Sequence, residues 1–429
     1  MKKIRIAIGP GEVAGYFSGL KNGFDQLNID CEHFVLGANN FSYKESNYFL
    51  KNVFIKTLVL NKSDNKIIKI LGQILGCCIK LIVFFYALAR SDVFIFAGYG
   101  SYFRFYELPL IKLLGKKILV VYLGSDARPP IFSGRHLDDL GTYTNGLSAQ
   151  NEAKRLLSKI QRVERYADVV INHTATAQFF TRSFIRHVVV GMPMKIVSSK
   201  KSIDRMLTKK IRILHAPSRP LAKGSLIFRK IIDELCNEGY LIEFIELVGV
   251  SNAIVLKELE QCDFVLDELY SDIPIAMLAA EAAMLGKPSV VGGYYTEQYS
   301  WDNPGIDILP SLYVAPENIK EGIRRLIVDS KFRIELGKRA ESFIKNNWNA
   351  KQVATNYLRL LEGNAPEEWV SSPADLTYYW GWGLSKENWR MQVHNYVSSM
   401  GENALFLDHN PRLKKAVLEE SRRYGSGNL

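Results

Sequence analysis

The sequence predicts an α/β protein built from two Rossmann-like halves that face one another across a cleft, followed by an aromatic-rich C-terminal appendage. Three observations carry this. Residues 1–194 alternate short, continuously apolar strands with helical segments, as expected for a parallel sheet covered on both faces. The same alternation restarts after a basic stretch and runs over 195–362. From 363 to 429 the composition changes, and four of the six Trp (Trp369, Trp380, Trp382, Trp389) fall after Ala365. A chain of 429 residues, 47% of them hydrophobic, can bury two such cores.

In the first half, MKKIRIAIGPGEV starts like a secretory leader but loses its apolar character by Gly9, so Ile4–Ile8 reads as a first strand. Phe17, Leu20, Phe24 and Leu27 repeat at helical spacing, which places Gly9, Gly11 and Gly15 in a strand-to-helix turn. Such glycines admit either a ligand or a tightly packed neighbour. CEHFVLG reads as the next strand. Ile67–Ala89 is strongly apolar but bordered or interrupted by Lys66, Lys69, Lys80 and Arg90, and no uninterrupted apolar run reaches the roughly 18 residues of a membrane span. It suits a core helix or a basic helix lying on an anionic bilayer surface. DVFIFAG, helical ELPLIKLLG and strand KILVVYLG follow, the last ending in Ser125, Asp126, Ala127 and Arg128. Ligands bind beyond the carboxyl ends of strands in open α/β sheets, so Asp126 and Arg128 stand at a functional address. An Asp capping its own loop beside a paired Arg is the alternative. A helix over 152–166, strand DVVIN, helix TATAQFFTRSF and strand HVVVG complete this half.

The net charge of +11 calls for an anionic partner. Part of it is local: Lys195–Arg212 carries seven basic residues against Asp204 alone. Without interleaved aromatics this reads as an interdomain linker and not a nucleic-acid surface. Strand Ile211–Leu214 then opens into HAPSRPLAKGS, where Arg219 and Lys223 offer a fork and a point charge suited to a diphosphate. A helix over 226–238, strand LIEFIEL, a helix over 253–260 and strand DFVLDEL lead to the stretch that anchors the chemistry, LDELYSDIPIAMLAAEAAMLGKPSVVGGY. Pro274 suits a first helical turn, Gly286 and Pro288 mark the end, and Ile275, Leu278, Ala279, Ala282 and Leu285 form one apolar face. Glu281 is the single charge from Ile273 to Gly286. A carboxylate there needs donors, and neighbouring sugar hydroxyls would serve, as would an internal Arg or backbone amides. The helix start lies about 10 Å away and favours phosphate. Strand PSVVGG and helices over 317–327 and 332–346 follow. The five Cys are scattered, with neither metal nor disulfide spacing, which points to a reducing cytoplasm. The tryptophans of the tail suit a protein contact, a glycan platform, a lid, or packing back on the first half.

Taken in order, these motifs resemble the GT-B fold glycosyltransferases of the retaining, family 4 type. HAPSRPLAKGS matches the strand and loop with Arg and Lys before KG, and Glu281–Pro288 matches the family's EAMAxGxP segment. GPGEVAG resembles its N-terminal Gly loop, while DVFIFAG, LGKK and GSDAR resemble motifs of a bacterial surface-polysaccharide subgroup. The resemblance covers residues 1–362. It implies that Ser218, Arg219 and Lys223 hold the diphosphate of a nucleotide-sugar donor, that Glu281 binds ribose, and that amides near Ala276 and Met277 face phosphate or sugar. Gly11 and Gly15 would form the opposing wall, and Asp126 would lie near the reacting sugars, with Arg128 on the acceptor side. The family's Glu-x7-Glu pattern has Ile273 where its first Glu belongs, so Asp272 or Glu268 would have to supply that carboxylate from a shifted loop; alternatively the sugar differs or the chain is inactive. No Asp-x-Asp occurs, so no metal is expected. The implied acceptor is a glycan or lipid-linked, and the implied place is the cytoplasm, at the inner membrane face. A non-catalytic relative that binds a glycan or partner through the tail, and a sugar-nucleotide epimerase, remain as other readings.

Overall fold

The computed structural model describes residues 4–36, 48–61, 64–136, 146–195, 210–273 and 277–426. Six parallel strands make up most of the first sheet: β1 (Arg5–Ile8), β2 (Asp30–His33), β3 (Val93–Ala97), β4 (Lys117–Val121), β5 (Val169–Asn172) and β6 (Phe184–Arg186), in the order β6-β5-β4-β3-β1-β2. The second sheet is also parallel: β7 (Ile211–His215), β8 (Ile242–Glu246), β9 (Phe264–Leu266), β10 (Ser289–Gly292) and β11 (Leu312–Val314), in the order β11-β10-β9-β7-β8. Both faces of the first sheet are covered, which is why β3 is buried at every position. Ile6, Ile8 and Ile95 pack on one side with Phe17, Leu20 and Phe24, and Phe94 and Phe96 pack on the other with Phe84 and Tyr102.

Residues 174–190 depart from the expected helix and strand. A 3-10 turn spans Thr174–Thr176, β6 comes next, and a four-residue helix, His187–Val190, stands where a strand was expected. The cause is Glu164, whose carboxylate accepts from the amides of Thr181 and Arg182 at 2.8 Å each and holds the chain in a turn. A side chain that captures these N–H groups leaves none for a helical ladder.

The chain returns to the first sheet before residue 362. Helix Ala350–Leu361 packs on helix Tyr16–Gln26, where a Cβ on Gly23 would meet the Ala350 carbonyl at 1.9 Å. A last strand, β12 (Val370–Ser371), pairs antiparallel with β6 at the sheet edge. Helices Lys386–Met400 and Pro411–Ser426 then pack together, with Trp389 fully buried against Phe132. The tail thus packs back on the first lobe. It also reaches the second: Gly134 N–H donates to the Trp382 carbonyl, while Gly383 N–H donates to the Tyr270 carbonyl.

Helix Lys66–Arg90 pairs with helix Tyr48–Leu60. It is long and apolar enough to cross a membrane by length and composition. Ile79, Val83, Phe84, Ala87 and Leu88 are buried along one face, whereas Ile67, Ile70, Leu71, Ile74, Ile82 and Phe85 are each more than half exposed.

Candidate functional site

Strand order reverses between β1 and β3 in the first sheet and between β7 and β9 in the second. The loops leaving the carboxyl ends at these switch points, where open α/β sheets bind ligands, enclose a cavity of about 270 Å³. The first lobe contributes Val13, Ala14, Gly124, Arg128, His173 and His187; the second contributes Ser218, Arg219, Lys223, Glu268, Ile273 and Met277; the tail contributes Trp382. An adjoining pocket of about 260 Å³ shares Ala14, Ser218, Lys223 and Met277 with it and adds Asn252 and Glu281. A larger open trough of about 960 Å³ shares Ser125, Arg128, Ser133, Arg135 and Arg219.

In the second lobe, β7 runs into the loop carrying Ser218 and Arg219, both exposed, and a short helix ending in Lys223. Gly224 follows at φ 81°, with Leu269 Cβ 2.5 Å from where its own Cβ would sit, so only glycine fits between loop and sheet. Lys223 is buried and its ammonium lies 2.9 Å from Glu268 and 3.6 Å from Asp267. Burial alone would lower its pKa; the two carboxylates outweigh that and hold it above the usual lysine value. Glu268 also accepts from the Trp382 indole N–H at 2.8 Å. Burial and the nearby Arg135 guanidinium hold Arg219 below the usual arginine value. On helix Met277–Met284, Glu281 is 8% exposed and accepts from the Asn252 side-chain amide at 2.7 Å. Burial pushes its carboxyl up to about 7, with the Asn252 bond opposing. Met277 lines both spaces; Ala276 and Pro274 lie outside the described residues.

In the first lobe the wall differs from expectation. Val13 and Ala14 face the cavity, not Gly11 and Gly15. Gly11 lies beneath Tyr99, whose hydroxyl would sit 1.6 Å from an added Cβ, and Gly15 takes the left-handed turn before helix Tyr16–Gln26 at φ 81°. The amides of Val13, Phe17 and Ser18 donate to the Glu12 carboxylate, so this helix start is capped from within the chain.

Asp126 caps its own loop by accepting from the Leu123 amide at 2.8 Å, and its Oδ2 is buried without a hydrogen-bond partner. Burial lifts its carboxyl to about 6. It borders the trough and not the cavity. Asp272 lines neither: Arg128 holds both of its oxygens in a buried fork that joins the two lobes. The carboxylate expected from the shifted loop is therefore engaged by Arg128, and Glu268 is the acid that borders the cavity. Ile273 lines the cavity as well.

His173 and His187 were not anticipated. Their rings stand 4.4 Å apart in the cavity wall, and burial lowers both pKa values, so both are neutral at pH 7. His173 directly follows β5, the same strand-end position that singles out Asp126; His187 was hidden in an expected strand. Among the described residues no group of three or more His, Cys, Asp or Glu could hold a metal ion.

Two Rossmann-like lobes with facing carboxyl edges define the GT-B fold. Two solved structures superpose on this chain at a TM-score of 0.50. The chain superposes on a UDP-forming α,α-trehalose-phosphate synthase from Burkholderia xenovorans with a TM-score of 0.50 at 10% identity, over 85% of this chain and 100% of that one. For apo OtsA the TM-score is 0.50 at 11% identity, over 84% and 100%. A mutant of S. aureus TarM in complex with Fondaparinux, alpha-GlcNAc-glycerol and UDP gives 0.42 at 12% identity over 66% of this chain, which spans 58% of TarM's length. No protein-family model matches the sequence, and no curated protein matches it.

Proposed function

We propose that the protein is a glycosyltransferase that moves a sugar from a nucleotide-sugar donor to a glycan or lipid-linked acceptor, with retention and without a metal, in bacterial surface polysaccharide synthesis at the inner membrane face. The observation that carries this is the continuity of the two small spaces: Ser218 and Lys223 border both, Arg219 opens on one side and Glu281 on the other. A nucleotide can place its ribose at Glu281, with Asn252 orienting the carboxylate, and its diphosphate at Arg219 and Lys223. Fixed cations there oppose the charge that develops on the departing diphosphate, an effect worth about 3–4 kcal/mol per well-placed donor. Retention and the polysaccharide setting rest on the resemblance in the Arg219–Lys223 loop and the Glu281 helix. The exposed apolar face of helix Lys66–Arg90, with Lys66 and Lys69 at its start, supports peripheral contact with an anionic membrane.

Arg219→Ala and Glu281→Ala should each cost tenfold or more in turnover of the nucleotide sugar, the sugar to be chosen by screening UDP, GDP, dTDP and CMP sugars for thermal stabilisation. Wild-type turnover in both variants refutes the proposal. A second reading, a GT-B relative that binds sugars without transferring them, is favoured by Ile273 in the cavity wall and by Lys223 already paired with two acids. It requires nucleotide binding with no release of sugar from any donor.

A further inference from the structure

The trough beside the cavity carries an excess of one sign of charge. Of its lining residues, eight are Arg or Lys, and two, Asp126 and Glu152, are acidic. Arg128 is neutralised by Asp272, and Arg135 lies 3.3 Å from Glu152. Among the described residues the remainder form no ion pair, although Asp126 and Glu152 lie near Lys159. Lys159 reaches the Tyr99 carbonyl at 3.3 Å, and Arg162 donates to the Arg104 carbonyl at 2.6 Å while stacking over Tyr106.

Their arrangement matters more than their number. Lys154, Arg155, Lys159 and Arg162 share helix Gly146–Tyr166. Arg155, Lys159 and Arg162, at spacings of four and three, lie along one side of it, with Lys154 flanking them, and residues 155 to 162 span about 10 Å at 1.5 Å per residue. A lone diphosphate is met by one or two cations at a point. Here cations are strung out in a row that begins at Arg219, on the rim of the donor cavity. Like charges held this close repel one another, and a multiply charged anion relieves that cost.

Resting on the transferase reading, we infer that the acceptor is a chain bearing repeated anionic groups, phosphodiester or carboxylate, which lies along this trough with its reacting end at Arg219. The test measures binding to the full-length protein of three labelled probes of matched length: an oligo(galacturonate), an oligo(glycerol phosphate) and a neutral malto-oligosaccharide. Charged probes should bind about tenfold or more tightly than the neutral one and weaken from about 50 to about 200 mM salt. Arg155→Gln/Lys159→Gln should cost about fivefold or more for the charged probes, leave the neutral probe unchanged and leave the melting temperature within about 2 °C of wild type. Equal affinity for the neutral probe, or indifference to the double substitution, overturns the inference. So does equally tight binding of a charge-matched oligodeoxynucleotide, or of a short-chain polyprenyl diphosphate in place of the chains. UDP affinity measured alongside separates the two levels: UDP binding with no charged-probe preference removes this inference alone, whereas absence of any nucleotide or nucleotide-sugar binding removes the donor assignment beneath it.

Discussion

Glu281 shows how burial sets a residue's chemistry. Its folded pKa of about 7 exceeds the reference value of 4.5, so the folded state holds a proton that the unfolded chain would release. That contribution to stability is full below about pH 4.5 and is lost as pH rises through 7. Glu281→Gln should therefore raise the melting temperature at pH 8, by the equivalent of about 1–3 kcal/mol, and leave it near wild type at pH 4.5. Donor binding runs the other way. On the proposed reading ribose hydroxyls would donate to the ionised carboxylate, so affinity for the nucleotide that the screen selects should fall about tenfold from pH 8 to about 5.5, and calorimetry on Glu281→Gln should show that dependence abolished. Lys223 and Arg219 behave differently although they share a loop. Lys223→Ala leaves Asp267 and Glu268 buried without their cation, and should cost about 3–5 kcal/mol in urea denaturation. Arg219→Ala, on an exposed side chain, should stay within about 0.5 kcal/mol of wild type while losing donor turnover. That Glu281 is a buried carboxylate in need of a donor was legible because one charge stood in an apolar helix. The engagement of Asp272 was not, because its partner Arg128 lies 144 positions away and adjacency to Ile273 says nothing about it.

At the scale of the element, parallel strands are the easiest to read. Burial on both faces forces a run of apolar residues, and β3, β4, β7 and β9 appear within a few residues of where such runs stand. Turns fixed by distant side chains are harder: no periodicity within 174–190 reports that Glu164 captures its amides. Helix Lys66–Arg90 is a third case, since an apolar run reads the same in a core and on a bilayer. Its exposed face decides what can be tested. Leu71→Glu/Ile74→Glu should reduce co-sedimentation with vesicles rich in anionic phospholipid about fivefold or more, because the apolar surface that would enter the lipid is lost, with little change in folding stability since both side chains already face solvent. Absence of vesicle binding by the wild-type protein would remove the membrane role altogether.

The molecule as a whole is two lobes held by contacts that sequence order conceals. Arg128 and Asp272 form a buried ion pair across the cleft, with side-chain exposures of 5% and 1%. Arg128→Met alone should cost about 3–5 kcal/mol, and Arg128→Met/Asp272→Leu should recover most of it in urea denaturation, since breaking such a pair is worse than replacing it. The two-lobed repeat was visible in the sequence as the same alternation played twice. The role of the tail was not, because its tryptophans are equally compatible with a surface and with an interior until their partners are known. Removing 365–429 would strip β12 from its sheet and uncover Phe132, so expression and solubility should suffer before any ligand is tested. The paired fastenings at Trp382 and Gly383 have a further effect. Consecutive residues of one strap are tied to opposite banks of the cleft, by Gly134 on one side and Tyr270 on the other. The banks can part widely only if the strap lets go of one of them and the Arg128–Asp272 pair breaks. Exchange of whatever the cavity binds would then require the tail to peel from one bank.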